Sequence, residues 1–173
     1  MSPEFSRTYR IDTLGAGARQ VRIDADEAER AALAARFGLL GIARLAAEAA
    51  LSRTGETVTA RGTVSAAVTQ SCVATEEPVD ETVEEAFRIE FRPHPESAAA
   101  EEEIELSEGE MDVVFYDGAA IDLGEALADT LALSLDPYPR SAGAEAVLRE
   151  AGIMTEEEAS PFAVLAQLKR GEP

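Results

Sequence analysis

The sequence predicts an α+β fold: an antiparallel, curled β-sheet packed by two or three helices, with an acidic mobile loop leaving it. Two patterns carry this expectation. Val58, Ala60, Gly62, Val64, Ala66 and Val68 alternate with Thr57, Thr59, Arg61, Thr63 and Ser65, the period of a half-buried strand. Leu123, Leu127 and Leu131 recur at the spacing of one helical stripe. With 173 residues, 46% of them apolar, the chain is long enough to bury a core as one domain with tails.

Residues 19–23, RQVRI, read as a short first strand. Asp24 or Asp26 then caps a helix running to about Phe37, with Leu33 and Phe37 one turn apart. Gly38 and Gly41 weaken any continuation. Residues 45–51 alternate as a strand does, while their alanines keep helix as a competitor. Thr54-Gly55-Glu56 offers a hairpin turn into the 57–69 strand. Another strand follows at 83–91, with Val83, Phe87, Ile89 and Phe91 on one side and Glu85 as a blemish among them. A short connection joins these two strands, so antiparallel pairing is the simple inference.

Residues 93–112 are rich in Glu, Ala and Pro. They bury too little to offset the entropy of ordering and read as an acidic disordered loop. A short strand at 113–116 and an Asp117-Gly118 turn lead to Asp122. Asp122 followed by Glu125 has the spacing of a capping box, and Asp136-Pro137 stops the helix. Tyr138-Pro139-Arg140 continues as a stiff extended segment, and residues 141–159 are weakly patterned. Ser160-Pro161 opens a short helix, 161–169, with Phe162, Leu165 and Leu168 on one side.

Charge is the strongest global fact. The formal net charge is −19, and residues 76–112 carry 15 acidic against 2 basic side chains. Such a balance repels phosphates and argues against a nonspecific nucleic-acid binder, so no DNA partner is expected. Arg7, Arg10, Arg19, Arg22 and Arg61 remain as a local basic face on the N-terminal half. No apolar run reaches membrane-spanning length, and the polar start MSPEFSRTYR lacks a secretory pattern, so the expected location is the cytoplasm.

Cys72 is the single cysteine and His94 the single histidine. A thiol enzyme using both is the rival reading; a packed structural cysteine is the simpler one. The neighbouring Glu76 and Glu77 are expected to raise a thiol's pKa. One Cys and one His cannot close a zinc site, no phosphate-binding glycine motif is present, and the 101–112 carboxylates lack the order of a calcium loop. No catalytic residue, metal or cofactor is therefore assigned. Tyr138 and Arg140 suit recognition, by stacking and by bidentate phosphate contact; packing of Pro-Tyr-Pro over the core is their alternative.

Three stretches together, VTQSCVATEEPVDETVEEAF, DGAAIDLGEALADTLALSLDPYPR and SPFAVLAQLK, resemble the YceD-like family of large ribosomal RNA subunit accumulation proteins. The most specific pieces are the turn from Cys72 to Pro78 and the helix start Asp122-Leu123-Gly124-Glu125. The resemblance implies a YceD-like domain over 1–140 and a C-terminal tail over 141–173. Many members carry Cys-x-x-Cys at the turn; here the second position is Thr75, so the chain resembles a metal-free branch in which Cys72 fixes the turn. The implied function is a non-enzymatic factor in ribosome biogenesis, promoting synthesis, processing or stability of large-subunit rRNA. Its expected partner is a basic ribosomal protein or assembly factor, or the rRNA itself. The residues expected at the partner are Arg61, Glu101, Glu102, Glu103, Tyr138, Arg140 and Phe162. A third reading is an acidic solubility protein with no fixed partner.

Overall fold

A computed structural model describes residues 3–94 and 111–153. The Glu101–Glu103 run, Phe162 and the 161–169 helix lie outside these residues. The chain divides into two compact units: Met1–Gln70 with Asp80–Pro137, and Ser71–Val79 with Tyr138–Pro173.

The first unit is built on five strands. They are β2 (Arg19–Asp24), β3 (Gly41–Thr54), β4 (Thr57–Ser71), β5 (Pro78–Pro93) and β6 (Asp112–Tyr116), and they lie in that order in one open sheet. β2, β3 and β4 are antiparallel neighbours, with Arg22 opposite Glu48 and Gly62 opposite Ala49. The alanine-rich 45–51 segment is thus strand, because its backbone pairs on both sides, with β2 and with β4. The α+β class holds, with one difference at the edge: β6 runs parallel to β5, from Ile89↔Asp112 to Pro93↔Tyr116. A parallel neighbour needs a crossover of about a dozen residues or more. The acidic connection from His94 to Met111 supplies that length.

Leu33 on α1 (Glu27–Phe37) and Leu123, Leu127 and Leu131 on α2 (Leu123–Ser134) are fully buried. They join Leu51, Val58, Val64, Ile89 and Phe91 in one core. The capping box is at α1, where Asp26 accepts from the Glu29 amide and Glu29 accepts from the Asp26 amide. At α2 only half of the expected box forms. Asp122 accepts from the Glu125 amide, but the Glu125 carboxylate turns to Arg36 at 2.9 Å.

The largest element that the sequence did not announce is the N-terminal segment. β1 (Thr8–Arg10) pairs antiparallel with β7 (Ala120–Asp122), and Phe5 is buried in the core. Arg7 holds Glu29 through two hydrogen bonds, at 2.6 and 2.9 Å, and also donates to the carbonyls of Ser6 and Asp24.

The second unit contains the 72–77 turn and α3 (Ala144–Glu150), a short helix in the weakly patterned 141–159 stretch.

Candidate partner-binding surface

The motif Asp122-Leu123-Gly124-Glu125 is an anchor for the chain's own N-terminus. Asp122 accepts from the Ser6 hydroxyl, from the Arg7 amide at 2.8 Å and from the Glu125 amide at 3.2 Å. The Leu123 amide donates to the Arg7 carbonyl at 2.9 Å. A Cβ on Gly124 would stand 2.7 Å from the Arg7 nitrogen and 2.8 Å from the Phe5 oxygen. The glycine is there because backbone crosses it.

The Cys-to-Glu-Pro turn is held by a polar cluster within the second unit. Cys72 donates its amide to Glu77 and accepts the Glu76 amide at its carbonyl. Glu76 takes a left-handed conformation, φ 60°. The sulfur accepts from the Ala74 amide at 3.4 Å and the Ser141 amide at 3.3 Å. Thr75 Oγ1 and Ser141 Oγ are 3.0 Å apart, and Thr75 also donates to Glu77. Burial pushes the thiol up, yet hydrogen bonds from Thr75, Ser141 and Ala74 outweigh it and bring the pKa down from 9.0 to about 6. This reverses the expectation drawn from the nearby glutamates, whose charges do not govern the sulfur; donated hydrogen bonds do.

The donors around Cys72 do not fit zinc. Thr75 occupies the place of a second thiolate and already bonds Ser141 and Glu77. Among the described residues, no group of three or more His, Cys, Asp or Glu is placed to hold a metal ion. His94 stacks on Phe115 with ring centres 5.3 Å apart, and the sulfur's hydrogen bonds come from Ala74, Thr75 and Ser141. The Cys72–His94 dyad gains no support from either residue's contacts.

The expected basic face is largely spent on internal pairs. Arg7 binds Glu29, Arg10 binds Asp12, and Arg22 binds Asp24 and Glu48. Arg19 lies over the Tyr9 ring. Arg61 is exposed on β4. Tyr138 is 69% exposed, so it does not pack as a core residue would. Arg140 is exposed beside it, while the intervening Pro139 is buried and its carbonyl accepts from Val73. Pro78 is exposed at the start of β5.

A further feature escaped the sequence reading. An open groove of about 600 Å³ lies in the first unit, between β5 and the C-terminal half of α2. Glu85, the blemish in the β5 pattern, lines it. Leu133 of α2 also lines it and is 84% exposed. The disturbed alternation at Glu85 was the only signal in the sequence, and it needed β6 to become interpretable.

The family described as large ribosomal RNA subunit accumulation protein YceD matches residues 60–169. No curated protein and no solved structure matches the chain. Among the described residues, no helix is long and apolar enough to cross a membrane.

Proposed function

From the premise that the chain belongs to the YceD family, named for large ribosomal RNA subunit accumulation, we propose that it is an accessory factor that holds a basic ribosomal protein or assembly factor while large-subunit rRNA matures. It works in the cytoplasm and without catalysis. The observation that carries this reading is the charge: 15 acidic against 2 basic side chains over residues 76–112, with Glu84 and Glu85 exposed on β5. A basic protein meets complementary potential there and is steered to it, whereas free RNA is repelled.

Deleting the gene is expected to lower large-subunit rRNA relative to small-subunit rRNA, and an unchanged ratio rejects the role. Crosslinking in cells is expected to yield a basic protein. A second reading, direct contact with rRNA, is favoured by the exposure of Tyr138 and Arg140. It requires RNA crosslinks that vanish in a Tyr138→Ala/Arg140→Ala variant. Cys72→Ala is expected to restore the rRNA ratio in the deletion strain; failure of a folded variant to do so would favour the thiol-enzyme reading.

A further inference from the structure

β5 is 16 residues long and β6 is 5, and β6 pairs only with Ile89–Pro93. Among the described residues, no strand lies beside Asp80–Arg88 on that side of β5. The groove follows this edge at Glu85–Arg88. Its β5 lining is the unbroken run Glu85, Ala86, Phe87, Arg88. Successive strand side chains point to opposite faces. Four consecutive residues can therefore line one groove only where it opens on the strand's edge, at the row of backbone donors and acceptors.

The other wall is chemically simple. Thr130 and Ser134 donate their hydroxyls to carbonyls of their own helix, at 3.0 and 2.8 Å. Leu133 is left as an exposed apolar contact. Of the groove's own charged residues, Glu85 and Asp112 are exposed, against the exposed cation Arg88. Such charges keep a second, equally acidic copy from pairing edge to edge. They admit a basic strand.

We propose that the edge of β5 over Asp80–Arg88, which no strand among the described residues covers, is the docking site for a Lys/Arg-rich extended peptide segment, which adds as a strand in line with β6. Main-chain hydrogen bonds to β5 provide the binding, alternate apolar side chains meet Leu133, and Glu85 and Asp112 select positive charge. The proposal rests on the reading that the partner is a basic protein, and it specifies how that partner is held.

The test uses the full chain and a fluorescent Lys-Val alternating octapeptide. The peptide is expected to bind at low salt and to protect amides of residues 80–88 from hydrogen exchange. N-methylation of alternate peptide nitrogens, which leaves the charge intact, is expected to weaken binding about tenfold. Glu85→Lys/Asp112→Lys, checked for folding by circular dichroism, is expected to do the same. Equal binding of the methylated peptide, protection elsewhere, or equally tight binding of a uridine oligonucleotide overturns the proposal. The function reading is judged separately by the rRNA ratio and by protein crosslinks in cells. Those can stand while strand addition fails.

Discussion

Gly124 shows how one missing carbon organises the molecule. Phe5, Ser6 and Arg7 pass over it so closely that any side chain must displace their backbone. Gly124→Ala is expected to lower the unfolding free energy by about 1–3 kcal/mol, the usual range for overpacking, measurable by urea titration. The loss should coincide with faster hydrogen exchange in β1. Cys72 makes a second residue-level prediction. Its thiol pKa is about 6 in the folded protein against 9.0 ordinarily. The unfolded chain therefore binds more protons between these values, so folding stability gains with pH across that window and the gain is lost as pH falls towards about 6. The urea midpoint of the natural protein, taken relative to Cys72→Ala, is expected to rise from pH 6 to pH 9. A flat difference would show that the sulfur is not hydrogen-bonded as a thiolate. Because the side chain is buried, alkylation should nevertheless be slow until the protein unfolds.

Among the elements, β3 and β4 depend on another close approach. A Cβ on Gly62 would lie 1.9 Å from the Glu48 carbonyl oxygen, and this contact involves backbone that cannot step aside cheaply. Gly62→Ala is expected to cost about 1–3 kcal/mol or more, read as a drop in melting temperature with loss of strand signal in circular dichroism. Gly62 was legible as a strand position, because the alternation around it is regular and spans 57–69. The same regularity located β5, α1 and α2, whose patterns are long enough for burial on one face to decide them. The short strands at 19–23 and 113–116 were legible too, but β1 and the direction of β6 were not. Thr8–Arg10 becomes a strand only because Ala120–Asp122 lies beside it, and β6 becomes parallel only because an 18-residue connection permits a crossover. Neither fact is local, so no window of sequence contains it. The site residues divide in the same way. Asp122 was readable as a cap from its spacing to Glu125, but its bonds to Ser6 and Arg7 join residues over a hundred positions away.

At the scale of the whole molecule, the net charge of −19 sets the terms. Like charges on a compact body repel, and salt screens them within about 8–10 Å at moderate ionic strength. The melting temperature is expected to rise as sodium chloride increases from low concentration, while association with a basic partner slows. A falling melting temperature would mean that ion pairs such as Arg36 with Glu125 and Asp129 matter more than the surplus of acid. The N-terminal latch has a consequence for the order of events during translation. Phe5 and Arg7 leave the exit tunnel more than a hundred codons ahead of Asp122 and Gly124. That segment must wait unsheltered while β2 to β5 are made, and it cannot seat before β7 and α2 emerge. A nascent chain arrested before α2 should therefore be cut by protease near Phe5, and one arrested well beyond α2 should resist.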